Sequence, residues 1–240
     1  MHDGIVSALS RRVVYGLTIL AFGLAGCSTN SSEKALDPAD FGTTFTRIAP
    51  NGYVDMSLEF ENPTDQPVTL SGRLIARNGS NREMPRVVVT TAFETEKGRA
   101  VVMPGGSVDF VQFHGPGAEQ VREVTFEDVS VTKAELPVIS KLVDLTPLDI
   151  DGNDLDYDMD AQQVRLKNPN VKRANVRVVL MVLRAPQTGV PQQAILVRDV
   201  ATVHVGPKAS KTVDLDSKTI SILQARGVNS FVTLRSVLAP

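Results

Sequence analysis

From Val54 to Phe60 the chain alternates without a break: Val, Met, Leu and Phe fall on one face, and Asp55, Ser57 and Glu59 on the other. Successive side chains of an extended backbone point to opposite faces, so this segment predicts a half-buried strand. Arg86 to Phe93, Val108 to Phe113 and Val124 to Val131 are further short runs rich in Val, Phe and Thr, residues that pack well on a pleated surface. In the last run the face pattern slips at Glu127-Asp128, which predicts a β-bulge. Pro and Gly punctuate the runs at short intervals, as in an antiparallel sandwich or barrel.

The pattern occurs twice. Phe60-Glu61-Asn62-Pro63-Thr64 returns as Leu166-Lys167-Asn168-Pro169-Asn170, an offset of 106 residues. Met103-Pro104-Gly105-Gly106-Ser107 returns loosely as Gly206-Pro207-Lys208-Ala209-Ser210, offset by 103, and Phe126 answers Phe231 at 105. Between the last two landmarks each copy carries a predicted helical turn, Gly117 to Arg122 and Ser217 to Arg226, the second with Ser217 as N-cap and Gly227 as stop. The expected fold is therefore all-β: two tandem antiparallel sandwiches of the immunoglobulin or fibronectin type III kind. They span 45–133 and 155–240, joined by an acidic linker, 134–154. Each repeat is near the usual size of a domain that buries its own core.

The N-terminus has a different pattern. Arg11 and Arg12 precede a run from Val13 to Ala25 without a charge, ending in Leu24-Ala25-Gly26-Cys27. The run is shorter than the ~20 apolar residues a membrane-spanning helix needs, and it suits the apolar core of an export signal. Leu-Ala-Gly-Cys in this context resembles the bacterial lipoprotein lipobox. The resemblance implies cleavage after Gly26, a diacylglyceryl thioether on Cys27 and acylation of the new amine. Residues 1–26 are then a signal peptide, and 27–44 are the lipidated N-terminus and a polar tether beginning Ser28-Thr29-Asn30-Ser31-Ser32. Two or more acyl chains hold a protein firmly on a membrane. Ser28, rather than Asp, follows the cysteine; in a Gram-negative cell the resemblance implies the periplasmic face of the outer membrane.

A strand ending in Asn-Pro, a Val-rich second strand and a later Pro-Gly are similar to the type-2 late-embryogenesis-abundant (WHy) domain. Asn62-Pro63-Thr64-Asp65-Gln66-Pro67 also resembles the turn of the bacterial FxLYD domain. Both resemblances imply immunoglobulin-like sandwiches without catalytic residues.

Composition narrows the functional classes. Cys27 is the single cysteine, so lipidation leaves no thiol for a disulfide or metal. Of 25 basic and 27 acidic residues, loss of Arg11, Arg12 and Asp3 leaves 23 and 26, without the basic excess of a nucleic-acid binder. Aromatic residues make up 5% and Trp is absent, too few for a stacking platform. His114 in a predicted turn and His204 on a predicted strand have no spaced cysteine or carboxylate around them to suggest a metal site or triad.

Asp149 to Asp160 alone suggests ligand chemistry, with Asp149, Asp151, Asn153 and Asp156 as candidate calcium ligands. An EF-hand starting at Asp149 would need Gly at 154 and Glu at 160, and Asp stands at both. The preferred reading makes Leu155, Tyr157 and Met159 the start of the second sandwich's first strand, with Asp154, Asp156, Asp158 and Asp160 on its solvent face. Asn62 and Asn168 are read as turn formers, since Asn closes turns and Pro disfavours helix before it. The expected function is a non-enzymatic, lipid-anchored interaction or scaffolding module of the cell envelope, with another envelope protein as partner. The alternative is a stress-protective or small-ligand-binding lipoprotein.

Overall fold

The computed structural model describes residues 36–47, 56–134, 141–185, 194–225 and 230–240. Cys27, Gly26, the signal and most of the tether lie outside them, as do Val54, Asp55 and Gly227. The protein is all-β, with every strand pairing antiparallel. The N-terminal half contains β1 (Thr43–Thr46), β2 (Ser57–Phe60), β3 (Val68–Asn78), β4 (Val88–Thr91), β5 (Lys97–Val102), β6 (Ser107–His114) and β7 (Val121–Lys133). One sheet runs β1-β2-β6-β4 and the other β5-β3-β7. The expected alternation holds at the described positions, with Met56, Leu58 and Phe60 buried among Val68, Leu70, Leu74 and Val102 of the facing strands and Val111 of the neighbouring β6.

The C-terminal half contains β8 (Asp144–Leu148), β9 (Gln163–Lys167), β10 (Ala174–Arg184), β11 (Ala194–Val205), β12 (Ser210–Asp214), α1 (Ser217–Gln224) and β13 (Ser230–Leu238). Its sheets run β12-β9-β8 and β11-β10-β13. Strand for strand this is the same order: β8, β9 and β12 stand where β1, β2 and β6 do, and β11, β10 and β13 where β5, β3 and β7 do. Among the described residues β4 has no counterpart in the second copy. Val164, Leu166, Val176, Val178, Leu180 and Leu234 close the second core.

The Asn-Pro signatures occupy equivalent corners and do the same work. Asn62 and Asn168 are both 1% exposed. Asn62 Nδ2 donates to the carbonyls of Gln66 (2.8 Å) and Val102 (3.1 Å), while its Oδ1 accepts from Thr64 N. Asn168 Nδ2 donates to Lys172 (2.7 Å), Val205 (3.1 Å) and Gly206, and its Oδ1 accepts from Asn170 N. Each amide thus ties the turn after one strand to the end of a strand far along the chain. That satisfies backbone groups which would otherwise be buried and unpaired.

The bulge at Glu127-Asp128 is present. Pairing of β3 with β7 jumps from Ser71↔Ser130 to Arg73↔Glu127, and Asp128 takes φ 54°. Gly72 sits opposite, where a Cβ would lie 2.7 Å from the Phe126 ring.

Several expectations are corrected. The 134–154 segment is not all linker: β8 lies inside it and pairs along its whole length with β9. Because β8 already fills that place, Leu155 to Asp160 is a turn and a 3-10 helix (Asp158–Asp160) rather than a strand, and Tyr157 is 74% exposed. The polar tether ends earlier than residue 44, since Phe41 packs into the first core and β1 begins at Thr43. Phe126 does not answer Phe231. Phe126 pairs with Leu74 and Leu234 with Leu180, so register matches Phe126 to Leu234. The slip follows from α1, which is eight residues long where the first copy has a three-residue 3-10 turn at Ala118–Gln120. The N-cap of α1 is Asp216, which accepts from Thr219 N at 2.7 Å.

Residues Leu36–Pro240 hold together as one compact unit, so the halves are not beads on a linker. Ala92, Ala100, Val179, Met181, Leu183, Ala194 and Val237 form a third apolar cluster across the junction, with Phe93, Phe110 and Val197 against it. β10 is consequently buried on both faces, with Val176 and Val178–Met181 all at 0% exposure.

Candidate functional site

Among the described residues, two places that combine accessible space with organised chemistry stand out. The first lies at the junction. Arg177 is a lone cation in the apolar run of β10, and its side chain is 5% exposed. It donates to the carbonyls of Phe93 (2.9 Å) and Arg99 (3.1 Å) and to Asp199 Oδ1 (2.6 Å). Arg99 in turn pairs with Asp199 at 2.7 Å and with Glu94, which also holds Lys97 at 2.9 Å. Burial alone would raise the Asp199 carboxyl, but hydrogen bonds and charge from Arg177 and Arg99 hold it below its ordinary range. These groups line a polar cleft of about 280 Å³, and their mutual pairing makes it an ion network that fastens one half to the other.

The segment that carries Phe93 and Glu94 is anchored from behind by a buried acid pair. Thr91 Oγ1 lies 2.6 Å from Glu96 Oε2 and 2.6 Å from Asp109 Oδ2. One hydroxyl proton cannot serve both carboxylates, so one carboxyl must itself be protonated. Asp109 also accepts from Phe93 N, Phe110 N, Thr95 N and Thr95 Oγ1. That donor set suits the ionised form and leaves the proton on Glu96. Burial raises both carboxyls, and the nearby Asp109 raises Glu96 further.

The second place is a groove of about 600 Å³ lined by Pro147, Tyr157, Met159, Leu223, Phe231 and Val232, with Asp156, Asp158, Ala225 and Ser230 completing the wall. Its apolar side chains reach solvent: Phe231 is 57% and Met159 39% exposed. β13, the last strand of its sheet, forms one side. The Asp158 carboxylate accepts from Leu234 N at 3.0 Å, closing part of that edge.

Of the calcium candidates, Asp149, Asp151 and Asn153 share one hydrogen-bonded turn. Asp149 Oδ1 accepts from Asp151 N (2.9 Å) and Asn153 N (2.8 Å), and its Oδ2 accepts from Asn153 Nδ2 (2.8 Å). These bonds hold Asp149 below its ordinary range and shape a turn at Gly152, which takes φ 85°. Asp154 pairs with Arg165 at 2.6 Å, and Asp156 lines the apolar groove instead. Among the described residues no group of three His, Cys, Asp or Glu is placed to hold a metal ion. His114 ends β6 with Thr90 Oγ1 at 3.4 Å, and His204 lies in β11. The groove and the ion network both escaped the sequence reading. Their signals were Arg177 alone among Val and Leu, and Tyr157 and Met159 within an acidic segment.

No family model, curated protein or solved structure matches the chain.

Proposed function

We propose that this protein is a lipid-anchored component of the cell envelope that recruits another envelope protein, with no chemistry of its own. The lipobox at Leu24–Cys27 supports the anchoring. The recruiting role draws on the apolar groove beside the edge strand β13, because exposed apolar surface rimmed by polar groups marks interaction sites in soluble folds. In a Gram-negative cell the anchor lies on the periplasmic side of the outer membrane. The small-ligand-binding alternative draws on the junction cleft, but its charged groups already bind one another, which favours the recruiting role.

The test is fractionation of cells making the full chain or its Cys27→Ala variant, with intact mass of the recovered protein. The account expects the unaltered chain in membranes with acyl mass on Cys27, and the variant without acyl mass and no longer released from the signal by lipoprotein processing. Equal masses and equal distribution of the two would contradict it.

A further inference from the structure

The groove has a backbone wall, and the hydrogen-bond phase of β13 determines what that wall offers. In an antiparallel ladder, directly opposed residues alternate between pairs that exchange hydrogen bonds and pairs whose N–H and C=O point away from each other. Leu234 N–H donates to Asp158, so the Leu180↔Leu234 pair is of the second kind. Val182↔Val232 and Arg184↔Ser230 are two and four positions along an unbroken register, so they belong to the same kind. The N–H and C=O of Val232 and Ser230 therefore face outward, into the groove they line. Asp158 caps the edge at Leu234, and beyond it the Ser236 hydroxyl donates to Val143 O at 2.6 Å. Among the described residues the open stretch is thus the Ser230–Val232 end.

An outward row of donors and acceptors beside apolar side chains matches the chemistry of an added strand: the main chain pairs and alternate side chains fill the pocket. Among the groove's described lining residues the charge has one sign. Asp156 and Asp158 are on its wall, and no Lys or Arg is among the described lining residues. We propose that the β13 edge receives a short extended segment of a partner protein, with aliphatic residues at alternate positions and lysine or arginine flanking them. This rests on the recruiting role above and adds to it the place and the chemistry.

The test uses two synthetic peptides that alternate Val with Lys or Thr, identical except that one has Glu for every Lys. Binding to the full chain purified in detergent is followed by fluorescence anisotropy. The lysine peptide is expected to bind at least about tenfold more tightly than the glutamate one, a difference of about 1.4 kcal/mol. Val232→Pro removes an N–H that serves no ladder bond, and edge strands tolerate Pro, so it should abolish binding while the fold survives. Phe231→Lys alters an exposed side chain and provides a second variant if the proline disturbs folding; it too should abolish binding. Equal binding of both peptides, or full binding by Phe231→Lys, overturns the proposal. So does concentration-dependent self-association lost in Phe231→Lys, which would make a second copy the occupant. Failure here with Cys27-dependent anchoring intact rejects the edge and leaves the membrane placement standing; failure of anchoring with peptide binding intact does the reverse.

Discussion

β7 and β13 hold the same position in their halves, at the edge of a three-stranded sheet beside β3 and β10. They treat that edge in opposite ways. β7 has five charged residues in thirteen and a bulge at Glu127-Asp128, and Arg47 reaches from beyond β1 to the carbonyls of Val121 and Glu119. β13 has one charge in nine, an unbroken register and an exposed Phe231. Bulges and charges are how sheets discourage edge pairing, so the first copy's edge is closed and the second's is left open. The same asymmetry appears one strand further in. β3 alternates between buried and exposed, whereas β10, 106 residues on, is buried on both faces because the first half packs against it. The two copies therefore divide the work: the β11-β10-β13 sheet of the second is packed against by the first, and of the equivalent edges β7 and β13 it is β13 that is apolar.

Replacing the same strand position in both copies gives the largest contrast. Met181 and Ile75 are equivalent, but Met181 is fully buried at the junction and Ile75 is half-buried. Met181→Ala should destabilise by about 2–5 kcal/mol in urea unfolding, and Ile75→Ala by about 1 kcal/mol or less. Similar losses would mean that the junction does not stabilise the fold.

The corner amides should behave alike where the strands differ. Asn62→Ala and Asn168→Ala each strand buried carbonyls, for about 1–3 kcal/mol apiece. A loss at one position alone would break the equivalence of the copies.

Protonation offers a subtler contrast. Glu96 titrates above its ordinary value of 4.5 in the folded state, so its contribution to stability is complete below that value and is lost as pH rises through its raised folded pKa. Asp199 is depressed below 3.8, so its contribution is present above that value and fades as pH falls through its folded pKa. Glu96→Gln keeps a neutral donor toward Thr91. Stability measured from pH 4.5 upward should fall less steeply in this variant, and an unchanged slope would place the shared proton elsewhere.

The smallest effect concerns one turn. Gly105 takes φ 88°, and its counterpart Lys208 takes φ 51°, a region unfavourable for a residue with a side chain. Lys208→Gly should stabilise by roughly 0.5–1 kcal/mol, read as a higher urea midpoint. A lower midpoint would show that the Lys208 contact with Pro169 O outweighs the strain.

Much of this was written in local pattern. The alternation ending at Phe60, the bulge at Glu127-Asp128 and the Asn-Pro corners each depend on a few neighbouring residues, and each was legible. The junction was not, because β10's continuous apolar run has two explanations, a central strand or a strand covered by another domain, and only tertiary packing separates them. β8 was missed because Pro147 and the acidic residues after it resemble a linker. The groove was missed for a related reason. Tyr157 and Met159 alternate with aspartates like strand residues facing a core, and only the prior claim of β8 on β9 turns them outward.

Amide hydrogen exchange at Val232 tests the open edge most directly, with its β7 counterpart Val124 observed in the same sample. The account predicts that Val232 N–H exchanges readily in the free protein, while its ladder-bonded neighbour Thr233 is protected. Addition of the lysine-valine peptide should then slow Val232 and leave Val124 unchanged. Protection of Val232 before any peptide is added, or no change there at peptide concentrations that saturate binding, would contradict it.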